Sequence, residues 1–550
     1  EKVSNCVIRA LSIGSNLVVV SLIQGDLEKL VEAMECTPRG ERFETLTRIV
    51  VNGEESSPLR WAIQDGKVSL AKYIIEDLLT IRADRHAYYY GREKLFESHP
   101  DIVKVLVNEA QGLLETLLNG LLWHSHMVYD GQVRVNYYIR EMYGCPEEVP
   151  NVWDSTLGVL ALKGDPANFR HPVIDKLIQV KWDMFGSITC LVLQFIYLAH
   201  VALFFTGFVG RGNDCGDDSR IIRYVTAGVS VTMIVTAVGL MVSQERYGLV
   251  SRQELTIGER IPYLRRPIVI SIPRFLQNQW NTIRCISNVL ILITAFGPSS
   301  KCDGHSGLVE GGSVMEDGMR TLSAVTAVLM GLQVLEILIL SKKLSAFAFT
   351  MMRLIWQLLI NIVICLVAIF AFSGGLVIIR DDYFDSLEEA MQNLIKITLG
   401  IASPDMVQDA NTETVTLVLL FLVVVWIGFL NVLIAQFVYG YNTISNETDA
   451  YALMMRAQTI CEMESFLPRW LRLRYFNEMQ FDLPLNYDAG DEGPGGGIQV
   501  LESATVKQSA HYVPDRVLRF TGEASANDPW PSLEEAGVVV EGEDEAASQR

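Results

Sequence analysis

The side chains able to do chemistry gather around apolar stretches rather than in a catalytic constellation. Asn431 stands inside an otherwise hydrophobic run, and Asp405, Asp409 and Glu413 follow or close the sequence Gly400-Ile401-Ala402-Ser403-Pro404-Asp405. An amide in an apolar span is costly unless it faces water or a hydrogen-bonding neighbour, so Asn431 suits the wall of a wet path, the alternative being a helix-to-helix hydrogen bond. Ile434 lies less than one turn further on and shares that face, where copies of a branched apolar side chain around an axis would close the path by excluding water; plain packing is the alternative. Asp405 would lend the mouth of such a path a negative potential that concentrates cations. The chemistry on offer is therefore the passage of ions, with no enzymatic step and no cofactor. The nine cysteines form no CxxC pair and have no histidine partner at zinc spacing, so no metal site is expected either.

The elements that must position these residues are long and apolar. Of 550 residues, 50% are hydrophobic, and the mean hydropathy is +0.25. Apolar blocks near 185 to 209, 221 to 242, 280 to 296, 320 to 341, 354 to 379 and 414 to 441 mostly approach or exceed the roughly 20 residues that cross a bilayer. The expected class is a mainly α, polytopic membrane protein with six transmembrane helices. After the fifth block the pattern changes: Asp381 to Asp385 is polar, and Leu387 to Leu399 is an amphipathic helix too short to span. Gly400 to Asp405 then returns toward the sixth block. A short helix and a glycine-containing loop between two full spans predict a re-entrant pore loop rather than an ordinary external loop. In the fourth block Glu336 is the only internal charge, between Arg320 at one end and Lys342-Lys343 at the other, so a row of sensing arginines and steep voltage gating are not expected.

Residues 1–150 carry short amphipathic helices. The stretch Ser57-Pro58-Leu59-Arg60-Trp61-Ala62-Ile63, followed by Asp65-Gly66 and Leu70 to Ile74, resembles the opening turn and paired helices of an ankyrin repeat, with partial copies at Leu22 to Leu30 and Pro100 to Leu106. About three degenerate repeats are expected, making a docking surface without catalytic groups; a plain α-helical domain is the alternative. Residues 151–184, with the amphipathic run Val173 to Trp182, link this domain to the membrane. The last 70 residues contribute about -10 of the formal net charge of -19, and such a polyanionic balance excludes nucleic acid as a partner. A start at Glu1 without methionine reads as a fragment of a longer protein.

Orientation follows from basic residues. Arg246, Arg252, Arg260, Arg265, Arg266 and Arg274 crowd the segment between the second and third spans, which puts it and both termini in the cytosol. Arg265, Arg266, Lys342, Lys343 and Arg353 flank cytosolic membrane edges, where they could hold anionic lipid headgroups or merely obey the positive-inside bias. Cys215 and Cys302 are the only cysteines in the external loops, and a disulfide between them is expected.

The most specific signal is the sixth span and its exit: Phe429-Leu430-Asn431-Val432-Leu433-Ile434-Ala435-Gln436-Phe437, then Tyr441-Asn442-Thr443-Ile444, then Arg456-Ala457-Gln458-Thr459-Ile460-Cys461-Glu462-Met463-Glu464. This resembles the transient receptor potential (TRP) cation channels, closest to the vanilloid type, whose last span is followed at similar spacing by a TRP helix. The resemblance implies a homotetrameric, non-selective channel for sodium, potassium and calcium in the plasma or ciliary membrane, often with bound phosphoinositides. It implies a filter at Gly400, Ile401, Ala402 and Asp405, a gate at Asn431 and Ile434, and a gating helix centred on Arg456. The corresponding domains are 1–150 ankyrin-like, 151–184 linker, 185–341 four-helix bundle, 342–353 linker, 354–444 pore, 446–465 TRP-type helix and 466–550 acidic tail. Two departures stand out: Ala452 occupies the place of the tryptophan that opens the helix, and the acidic filter residue moves outward to Asp405. The rivals are another six-span channel, such as a polycystin, and a transporter or scaffold with an ankyrin docking domain.

Overall fold

The computed structural model describes residues 16–38, 49–51, 54–84, 87–89, 91–210, 217–246, 253–257, 268–272, 279–296, 312–340, 342–379, 384–401, 411–445, 448–487, 492–503 and 518–520. The chain divides into two compact units, Glu1–Ile337 with Leu453–Arg550, and Leu338–Ala452.

The first unit begins with three successive pairs of short helices, of which the first two pack as hairpins: Asn16–Gln24 with Leu27–Glu35, Pro58–Gln64 with Val68–Leu79, and then Arg92–Ser98 and Ile102–Glu109. Local chemistry sets their ends. Asp26 accepts a hydrogen bond from the Lys29 N–H at the start of one helix, and Ser57 caps another by accepting from Arg60, with Pro58 in the first turn where its missing N–H costs nothing. Gly25 and Gly66 turn the chain at φ +72° and +71°. Leu22, Leu30, Leu59, Ala62, Leu70, Ile74, Leu95, Ile102 and Leu106 are buried between the helices. Polar cross-links join successive pairs. The Lys67 ammonium donates to the carbonyls of Leu22 (2.8 Å) and Ile23 (3.0 Å) at the end of the first helix, and the His99 ring bonds the Ser57 hydroxyl. Burial holds the His99 imidazole below its ordinary pKa.

A hairpin of Leu122–Tyr129 and Gln132–Tyr137 follows, turned by Asp130-Gly131 with positive φ at both residues, as the twist of the two strands favours. The third strand of this sheet comes from the far end of the sequence: Ile498–Ser503 pairs antiparallel with the second strand, Ile498 opposite Tyr137 and Ser503 opposite Gln132. The glycine-rich stretch before it reads as a flexible linker in sequence, yet it is close-packed. Arg92, fully buried, donates to the Gly495 carbonyl at 2.7 Å and stacks over the Tyr138 ring. Gly496 sits at φ +94° against that guanidinium, and a Cβ on Gly497 would lie 2.5 Å from the Tyr137 carbonyl oxygen. The strand therefore belongs to the N-terminal domain's fold.

Residues 151–184 supply the helices Thr156–Lys163 and Pro172–Lys181, the latter running through a wide π turn, Trp182–Gly186, into the first apolar helix, Ser187–Phe204. Among the described residues five helices are long and apolar enough to cross a membrane: Pro172–Phe208, Ile221–Gly239, Gly318–Leu338, Asn361–Ile379 and Thr412–Tyr439. The third expected span is the shorter apolar helix Trp280–Phe296. Their many lipid-length apolar side chains are exposed, including Phe195, Val235, Phe296, Val328, Phe370 and Ile427.

In the second unit the long helix Lys342–Ile379, the short helix Leu387–Thr398 and the sixth apolar helix pack around Ile369, Leu376, Phe384, Ala390, Leu394, Ile397, Val418, Phe421 and Val425. Phe372 meets Phe421 edge to face at 5.4 Å. Among the described residues Cys145, Cys190, Cys285 and Cys365 are free thiols, while Cys36 is disulfide-bonded.

Because a methyl group at Gly497 has backbone on its path, Gly497→Ala should destabilise the N-terminal domain by about 1–3 kcal/mol. Gly112→Ala, where a Cβ meets nothing within 4 Å, should lower the thermal midpoint far less. Equal midpoints for the two variants would contradict the close packing of the tail.

Candidate functional site

The short helix Leu387–Thr398 is stopped by backbone geometry. Ser386 caps its start by accepting from Glu389, and Gly400 ends it in the left-handed region at φ +71°. The Gly400 N–H donates to the Ile397 carbonyl at 3.1 Å and the Ile401 N–H to that of Lys396 at 2.8 Å, the paired bonds by which a glycine closes a helix. Ala390, Asn393, Leu394 and Ile397 face inward, whereas Glu388, Glu389, Gln392 and Lys396 are exposed. The helix thus starts and stops within the second unit, with an exposed Ile401 after it.

The sixth apolar helix is interrupted. Thr412–Leu422 leads into a π segment, Val423–Phe429, before α geometry resumes at Leu430–Ser445. A π turn widens the helix and breaks the regular pairing of carbonyls with N–H groups four residues on. The Asn431 side-chain amide donates to the Ile427 carbonyl at 2.7 Å, so this polar residue repairs its own helix. Asn431, Ile434 and Val438 recur at helical spacing on one face and are exposed, Ile434 by 57%. One turn lower, the Gln436 side chain accepts from Asn361 on the long helix at 2.8 Å.

In the first unit the helix Thr448–Phe466 meets the pre-membrane segment through a stripe at i, i+4 and i+8. The Arg456 guanidinium lies over the Trp182 ring at 4.5 Å. Burial pushes its pKa down, and the carboxylates of Asp175 and Asp183 pull it back. Ile460 packs beside Gly186, where an added Cβ would be 3.5 Å from its Cγ1. Glu464 closes a salt bridge of 2.8 Å with Lys181, whose side chain is 1% exposed against 8% for the carboxylate. Gln458 adds a hydrogen bond to the Ala161 carbonyl. The sequence singles out Arg456; its guanidinium meets the indole face of Trp182, while the buried charge pair belongs to Glu464. Nothing local marks Glu464, because its partner is 283 residues away.

The apolar bundle holds a second polar cluster that sequence reading reduced to the isolated charge Glu336. Arg284 pairs with Glu336 across two helices and lies 5.3 Å from the Tyr197 ring centroid; the Tyr197 hydroxyl bonds Gln333, which donates to Ser287 at 2.9 Å. These bonds tie the first, third and fourth apolar helices together.

Ala402, Asp405, Asp409, Arg265, Arg266, Cys215 and Cys302 lie outside the described residues, as do the side chains of Lys342, Lys343 and Arg353, whose backbone is helical. The expected disulfide and the acidic mouth are thus not among the contacts seen, and Gly400, Ile401, Asn431, Ile434 and Arg456 are. Gly400 and Ile401 end the short helix, Asn431 and Ile434 share a stripe of the sixth, and Arg456 sits in the other unit.

Residues 257–449 match the family model described as ion transport protein. The match takes in the third to sixth apolar blocks and the short helix between the last two. It supports a membrane protein that passes cations as a channel and no enzymatic activity.

A guanidinium over an indole contributes about 0.5–2 kcal/mol. Arg456→Ala, Trp182→Leu and the double variant should therefore give thermal midpoints whose shifts do not add, the second substitution costing little once the first is made. Strictly additive shifts would contradict the contact.

Proposed function

We propose that this chain is one subunit of a homotetrameric TRP-type cation channel, non-selective and permeable to calcium as well as sodium and potassium. The observation that carries the reading is the pairing of the ion transport match with the helix stop at Gly400 and the TRP-like run Phe429 to Glu464. The chain crosses the membrane six times with both termini in the cytosol, the shorter helix Trp280–Phe296 serving as the third span. The three pairs of short helices form an ankyrin-type docking domain, and the two packed hairpins with capped, glycine-turned ends favour that over an arbitrary helical domain.

Four copies of Gly400, Ile401 and Ala402 line the outer constriction, where a glycine backbone free to adopt positive φ can turn a carbonyl toward the axis and replace part of a cation's hydration. Asp405 just outside raises the local cation concentration. Four copies of the exposed face bearing Asn431 and Ile434 line the inner end, and Ile434 closes it by excluding water. The π segment at Val423–Phe429 is where the sixth helix can change its winding and bend outward to reopen it. Arg265, Arg266, Lys342, Lys343 and Arg353 hold anionic lipid, phosphoinositides among it, at the cytosolic edge. The helix centred on Arg456 carries the state of the cytosolic domain to the gate.

Two variants divide the pore claim. Asp405→Asn should lower cation conductance, most at low salt, because the attraction it removes is screened over about 10 Å at 0.1 M. Ile434→Ser should give a leak at rest. A silent Ile434→Ser together with a leak from Val438→Ser would move the gate about one helical turn along the same face.

A further inference from the structure

The helix Thr448–Phe466 is tied to the pre-membrane segment by a charge pair taken almost wholly out of water, Lys181 with Glu464 at 2.8 Å. Burial of that kind is a poor source of stability, since the cost of stripping water from both groups offsets most of their attraction. What it supplies is position: one partner removed leaves a lone charge in an apolar joint, so the two helices cannot slide past one another by a turn without breaking it. The surroundings fit that role. The Lys181 ammonium also lies 4.3 Å over the Tyr143 ring, on the short helix Arg140–Tyr143 that follows the three-stranded sheet. Tyr143 in turn packs against Phe476 and Phe481 of the C-terminal segment at 5.9 and 5.8 Å. Burial, with the Glu464 carboxylate close by, pushes the Tyr143 phenol pKa up. Five residues earlier on the same pre-membrane helix, Lys176 meets Glu502 of the C-terminal strand at 3.6 Å. One helix of ten residues, Pro172–Lys181, is therefore held by the three-stranded sheet near its middle and holds the helix Thr448–Phe466 at its end.

We infer that Lys181 and Glu464 are positioning residues for gating: their pairing fixes the register of the helix Thr448–Phe466 and so sets the threshold at which the cytosolic domain opens the gate. The inference rests on the channel reading above and deepens it.

The test uses the whole chain in planar bilayers, with each variant's unitary current and open probability read at one fixed stimulus. Lys181→Gln and Glu464→Gln should each change open probability by about tenfold or more, the scale of a coupling between contacting charges, with unitary conductance unchanged. The exchanged pair, Lys181→Glu with Glu464→Lys, should return it to within about twofold of the wild type, which a purely space-filling role would not do. Lys181→Met with Glu464→Leu should fold and reach the membrane yet keep the altered threshold, and so guards against a charge variant that fails to assemble. Single variants that gate as the wild type does would overturn the inference while leaving the channel reading intact. So would a normal threshold in the Met/Leu pair, because packing alone would then suffice. A wild type without unitary currents would remove the channel reading and this inference with it.

Discussion

In hydrocarbon a peptide N–H or C=O has no water to turn to, so a spanning segment must satisfy its own backbone. The π segment Val423–Phe429 pairs its carbonyls with N–H groups five residues on, and the Asn431 amide gives the Ile427 carbonyl a side-chain donor. Thr226, Ser230, Ser287 and Thr326 return their hydroxyls to carbonyls three or four residues earlier and so bury polar side chains at small cost. The short helix Leu387–Thr398 ends only because Gly400 can adopt positive φ and bring two N–H groups onto the last carbonyls. The second unit thus holds a place where a short helix stops, at Gly400, and a place where a long one changes winding, at Val423–Phe429.

Outside the apolar part a different constraint governs. Charged groups taken out of water must meet a partner of fixed position, and they mark the joints of the fold there. Arg92 joins the helix Arg92–Ser98 to the glycine turn before the strand Ile498–Ser503. Lys176 joins the pre-membrane helix to that strand, and Lys181 joins it to the helix Thr448–Phe466. Each connects segments hundreds of residues apart, so the N-terminal domain and the chain beyond the sixth apolar helix form one unit. The boundary between the two units falls inside the helix Thr448–Phe466, at Ala452 and Leu453.

Local signals were legible in the sequence and distant ones were not. Ser57-Pro58 and the glycine turns foretell the helical hairpins, because caps and positive-φ residues act within four positions. Each apolar block lies within or along a long helix, although two of those helices begin well before their block, at Gly312 and Lys342. Leu387 to Gly400 was readable as a helix and its stop for the same reason. The hairpin at Asp130-Gly131 went unread although that dipeptide is a strong turn signal, since the surrounding helical periodicity drew the reading toward helices alone. The partners of Glu464, Glu502 and Arg92 could not be read, because burial of a charge is decided by residues remote in sequence. The run Gly493 to Gly497 misled in the opposite sense: glycines serve equally for a flexible linker and for close approach of backbone to a buried guanidinium.

The central claim is that this chain forms a gated ion path rather than a carrier or a docking scaffold, and the most direct measurement is the current through purified wild-type protein in a planar bilayer. The account predicts discrete unitary steps carried by sodium, potassium and calcium. A bilayer that holds the folded protein in the membrane yet passes no steps, or only a smooth saturable flux, would contradict it.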